Sequence, residues 1–205
     1  MSVIVTRDER HITVTVGRIV VQSIDSSDRP VTVKLPDLGE YSTDVTVLEI
    51  VDDQSNILYD YHHNCSCVDD YKLRVSVDCI KRYGNLEKLI LRGVQLTDGC
   101  LTDVVSSAKS VELYAVTGLE CTLEQLVAVL DSKVESLHLY LTDIKGKSTD
   151  LSRLTALKSL VIRYCPFLEV SLSALQIGTL DSLEVCHVAD HKSKDTMDHH
   201  LGVDI

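Results

Sequence analysis

One phrase recurs along the second half of this chain, and it limits the possible folds more than any other feature. Leu86-Glu-Lys-Leu-Ile-Leu91, Ala108-Lys-Ser-Val-Glu-Leu113, Val134-Glu-Ser-Leu-His-Leu139, Leu157-Lys-Ser-Leu-Val-Ile162 and Leu180-Asp-Ser-Leu-Glu-Val185 all read apolar-x-x-apolar-x-apolar. The second apolar position falls at 89, 111, 137, 160 and 183, giving spacings of 22, 26, 23 and 23 residues. Side chains alternate along a strand, so the last two apolar marks share one face and the residue between them takes the other. A unit this short cannot bury its apolar face alone. Stacked copies can, because their strands align into a parallel sheet over one continuous core.

Between the copies, Cys100–Ala108, Thr122–Leu130 and Leu151–Leu157 carry apolar residues three and four apart and are expected to be helices, with Thr122 and Asp150 as N-caps. One strand and one helix in each repeat of about 20–29 residues is the pattern of leucine-rich repeats. Leu86-Glu-Lys-Leu-Ile-Leu-Arg-Gly-Val-Gln-Leu-Thr-Asp-Gly-Cys-Leu101 resembles the cysteine-containing leucine-rich repeats of F-box proteins. In those, a strand leads into a Cys and a Leu-Thr-Asp-like turn before the helix. Cys165 stands at the family's Cys position, whereas the first copy has Val94 there, and its turn is one residue short. The resemblance covers residues 86–188. It implies an α/β leucine-rich-repeat solenoid with a parallel sheet, and it offers the substrate-recognition component of a ubiquitin ligase as an alternative function. No F-box is visible in the first 85 residues, where Leu35-Pro-Asp-Leu38 sits in β-rich surroundings.

That N-terminal region reads as strands: His11–Val16, a turn at Gly17, Arg18–Ile24, Val31–Leu35 ended by Pro36, and Thr46–Val51. Three parts are expected: residues 1–70, a β-rich region or cap; residues 71–188, the solenoid; and residues 189–205, a flexible polar tail. Lys72–Val77 with Asp78–Tyr83 reads as a degenerate repeat joining the first two.

Net charge is −11, and nine acids between Leu35 and Tyr71, a stretch without Lys or Arg, carry most of it. An acidic chain repels phosphates, so no nucleic-acid partner is expected. No run of 18 apolar residues is present, so no membrane association is expected either, and Met1–Arg10 is too charged for a signal peptide. Seven cysteines, an odd number, sit within apolar-periodic segments rather than in a disulfide framework, so an intracellular, cytoplasmic location is expected.

The register also assigns an outward face. One row holds Ile90, Glu112, His138, Val161 and Glu184, and the next holds Arg92, Tyr114, Tyr140, Arg163 and Cys186, with Tyr164 one position further on. Tyr and Arg combine contact area with directional hydrogen bonds and are enriched at binding hot spots. The expected function is therefore non-enzymatic recognition of another protein by the concave sheet face, through Arg92, Tyr114, Tyr140, Arg163, Tyr164, His138 and Glu112. Cross-strand Arg–Tyr stacking that only stabilises an exposed sheet is the competing explanation.

His62-His63-Asn64-Cys65-Ser66-Cys67 is the one dense group of potential metal ligands, and its spacing does not match a zinc site. A hydrolytic or metal-binding role for residues 62–67 is the least favoured alternative, because no nucleophile elbow or phosphate loop accompanies it. No metal, catalytic residue or cofactor is expected. The sequence sets no oligomeric state.

Overall fold

The structure is a computed structural model and describes residues 3–7, 10–15, 18–23, 31–35, 38, 42, 44–52, 73–171 and 180–186. Its main feature is a nine-stranded sheet. β1 (Val3–Arg7) and β2 (Arg10–Thr15) pair antiparallel, and β2 pairs antiparallel with β3 (Arg18–Ser23). From β3 onward the sheet is all-parallel and in chain order. In the main sheet β3 is followed by β5 (Val47–Asp52), β7 (Lys88–Arg92), β9 (Ser110–Tyr114), β10 (Ser136–Tyr140), β12 (Ser159–Arg163) and β14 (Ser182–Cys186). The chain is mainly β, with seven parallel strands in a solenoid-like succession of rungs.

The repeat phrase marks those rungs. Leu89, Val111, Leu137, Leu160 and Leu183 are register partners on successive strands, and Leu48 and Ile19 continue the column. A second inward column runs Val21, Ile50, Leu91, Leu113, Leu139, Ile162 and Val185 through the same pairings. All of these are buried except Leu183 and Val185 on the last rung, which are half-buried. The two earlier rungs obey the same phrase, as Val16-x-x-Ile19-x-Val21 and Val45-x-x-Leu48-x-Ile50. The 41-residue spacing from Leu48 to Leu89 hides the repetition.

The second side of each rung departs from the expected α/β pattern. There β4 (Val31–Thr32), β6 (Leu73–Ser76) and β8 (Val94–Thr97) form a parallel three-stranded sheet, and β11 (Gly146–Asp150) pairs with β13 (Leu168–Ser171). Lys72–Val77 therefore does not supply a rung of the main sheet. Its Leu73 pairs with Val94, on the second side.

Only one of the three expected helices forms. α1 (Val77–Ile80) is a single turn, and α2 (Leu123–Leu130) is the one regular helix among the described residues, burying Leu123, Leu126, Val127 and Leu130. Thr122 and Gln125 cap it reciprocally: Thr122 N–H donates to Gln125 Oε1 at 2.8 Å, and Gln125 N–H donates to Thr122 Oγ1 at 3.3 Å. The other two segments are runs of i→i+3 turns. Val104 N–H donates to Leu101 O and Ala108 N–H to Val105 O; likewise Leu154 N–H donates to Leu151 O and Leu157 N–H to Leu154 O. Leu151, Leu154 and Leu157 repeat every three residues, which suits such turns better than a period of 3.6. Asp150 accordingly caps a turn, its carboxylate accepting from the N–H and the hydroxyl of Ser152, each at 2.9 Å.

The residue before each strand adds a register signal. Positions 87, 109, 135, 158 and 181 read Glu, Lys, Glu, Lys and Asp, so each neighbour is of opposite sign. Glu87 pairs with Lys109 at 3.1 Å and Glu135 with Lys158 at 2.6 Å. No helix among the described residues is long and apolar enough to cross a membrane. The proposed boundary at residue 70, the tail at 189–205 and the cluster at 62–67 lie outside the described residues.

Candidate functional site

Four consecutive strands of the main sheet, β7, β9, β10 and β12, end at a corner, and the corner fixes the candidate row. The residue following the row position is Gly93, Ala115, Leu141 or Tyr164, with φ of 64°, 51°, 52° and 53°. This left-handed conformation costs a non-glycine residue about 1–2 kcal/mol, and it recurs because each corner N–H is donated across to the next rung. Gly93 donates to Tyr114 O at 2.9 Å, Ala115 to Tyr140 O at 2.8 Å, Leu141 to Arg163 O at 3.0 Å and Tyr164 to Cys186 O at 3.2 Å. Below the last of these, Cys165 is fully buried, its thiol donating to Arg163 O at 3.4 Å and lying 3.3 Å from Thr142 Oγ1.

Above the corners the row assembles. Arg92, Tyr114, Tyr140 and Arg163 are consecutive register partners, with Val51 before them and Cys186 after. The Arg92 guanidinium lies over the Tyr114 ring, 4.6 Å from its centroid. Tyr114 and Tyr140 rings are 6.2 Å apart, and Tyr164 meets Tyr140 edge-on at 5.5 Å. The positive φ at Tyr164 is what turns its side chain back onto this ledge, an unusual conformation for a bulky residue. All five are half-buried.

The neighbouring row supplies polarity. His138 sits beside Glu112 and Val161 in register. Its Nδ1 is 3.3 Å from the Tyr114 hydroxyl, and its Nε2 is 2.8 Å from Ser159 Oγ and 3.3 Å from Ser136 Oγ. Glu112 is engaged by Lys88 at 2.7 Å, and Glu184 by Arg163. Burial holds the His138 pKa below its ordinary value, Lys88 adds to that, and Glu112 opposes it. Burial also raises Tyr114, with Glu112 reinforcing and Arg92 opposing. All seven candidate residues are thus on one surface, joined by ring contacts, hydrogen bonds and ion pairs.

A serine row borders the site, outside the two outward rows that the repeat register assigns. Ser110, Ser136, Ser159 and Ser182 are register partners beside the polar row, and two of them hold His138. The recurrent spelling Lys-Ser or Glu-Ser or Asp-Ser inside the repeat phrase is the signal that marks them.

Among the described residues no three His, Cys, Asp or Glu side chains are grouped to hold a metal ion. A second surface feature lies elsewhere. Phe167, 55% exposed, lines a shallow groove of about 370 Å³ with Pro166, Lys145 and Lys147. No protein-family model and no curated protein sequence matches this chain.

Proposed function

We propose that the chain is a short leucine-rich-repeat-type solenoid that recognises another protein through the Arg92–Tyr114–Tyr140–Arg163 row, without catalysing a reaction. One observation carries the reading: four successive rungs present Arg or Tyr at the same position, and Tyr164 packs onto them to extend the aromatic ledge. The leucine-rich-repeat assignment draws on the 22–26-residue spacing and the parallel order of the strands. A ledge held by rung-to-rung hydrogen bonds loses little entropy on docking, which suits an adaptor. The cysteine usage fits work in a reducing, intracellular compartment.

The test is the double substitution Tyr140→Ala with Arg163→Ala, with capture of partners from the native cell. Loss of capture by a variant whose circular dichroism and melting remain cooperative is the expected result. Undiminished capture by that folded variant moves recognition to another surface.

A further inference from the structure

Among the described residues, the cations of the outer face are paired with one exception. Arg18 meets Glu49 at 2.6 Å, Lys88 meets Glu112 at 2.7 Å, and Arg163 meets Glu184. Arg92 has no acidic partner among the described residues. Its register neighbours are Val51 and Tyr114, and its buried Nε has no hydrogen-bond partner. Val51 and Ile90 beside it are only 9% and 7% exposed, so the guanidinium is held against Tyr114 on a largely apolar shelf. A fixed, partly desolvated guanidinium with unused donors is a seat for an anion.

Resting on the recognition reading above, we infer that the row takes an acidic segment of the partner protein in polyproline-II conformation, its carboxylate on Arg92 and an apolar side chain three residues on against Tyr140 and Tyr164. The local charge favours a carboxylate over a doubly charged phosphate, because Arg18, Lys88 and Arg163 are already engaged by Glu49, Glu112 and Glu184, leaving the single positive charge of Arg92 to be matched. The spacing selects the conformation. Strands lie about 4.8 Å apart, so Arg92 and Tyr140, two rungs apart, are separated by about 10 Å. In polyproline II, residues three apart return to the same face after about 9 Å. Aromatic ledges are also the surfaces on which such segments dock.

The probe is the peptide acetyl-Pro-Pro-Glu-Pro-Pro-Leu-Pro-Pro-amide, titrated into the full chain and followed by amide chemical shifts, beside the same peptide with Gln for Glu. The Glu peptide is expected to shift the signals of residues 92, 114, 140 and 164 and to bind about tenfold tighter than the Gln peptide. That difference should vanish in Arg92→Gln, persist in Arg18→Gln and shrink with added salt. Equal binding of the two peptides overturns the inference and leaves the recognition row standing. Absence of shifts at the row with both peptides also overturns it. The capture experiment with the Tyr140/Arg163 variant then decides separately whether the row binds a partner at all.

Discussion

The carboxylate of Asp143 reaches back one rung to Gly118, its Oδ2 accepting the Gly118 N–H at 2.8 Å, while Oδ1 accepts the Leu119 N–H at 3.3 Å. Gly118 has φ 74°, and a Cβ there would lie 2.3 Å from the Leu96 carbonyl oxygen. That oxygen is backbone and cannot rotate away. Gly118→Ala is therefore expected to destabilise the fold by about 3 kcal/mol, and Asp143→Ala by about 1–2 kcal/mol through the unpaired N–H it leaves. At this chain length each kcal/mol moves the melting temperature by about 2–4 °C, so thermal unfolding resolves both. A Gly118→Ala variant that melts with the parent contradicts this packing.

Two thiols should be chemically silent. Burial pushes the Cys121 thiol up to about 12, helped by the neighbouring Cys100 thiol, and burial likewise raises Cys165. Cys79, Cys100 and Cys186 are partly exposed. Iodoacetamide at pH 8 on the native protein, followed by peptide mass spectrometry, is expected to modify those three at least about tenfold faster than Cys121 and Cys165. Comparable rates at Cys165 would mean that the rung corner beneath Tyr164 opens readily.

Stability should fall on mild acidification, and His138 should contribute to that fall. Its folded pKa lies below the ordinary 6.5, so between those two values the unfolded chain binds a proton that the folded chain refuses. The contribution is absent above pH 6.5, grows as pH drops below it, and levels off under the folded pKa. His138→Gln keeps a side chain able to bond Ser159 and removes the titration, so denaturant midpoints of the variant should change less between pH 7 and 5. An identical slope in parent and variant contradicts the burial of His138.

The rungs were legible in the sequence because packing Leu89, Val111, Leu137 and Leu160 into one core column, with half-buried Leu183 closing it, demands one residue type at one interval. The row was legible for the same reason, since alternation along a strand places Tyr140 once Leu139 is placed. Helices were over-read. Leu101, Val104, Val105 and Ala108 satisfy a helical period and are all buried, yet i→i+3 turns bury the same set. Only Thr122–Leu130 adds a reciprocal cap to the period, and only there does a regular helix form. The corner conformation at Ala115, Leu141 and Tyr164 left no trace, because glycine occupies that position only at Gly93. The pairing of Tyr164 with Tyr140 depends on that corner, whereas the row itself depends on register alone.

The most direct test of the recognition surface places a photo-crosslinking amino acid in the full chain at Tyr140 or, separately, at Phe167. These are the ledge and the exposed apolar residue of the rival groove. Irradiation in the native cell is expected to give a discrete protein adduct from position 140 that is suppressed by adding Arg163→Ala, and none from position 167. An adduct from position 167 with none from position 140 would contradict the account.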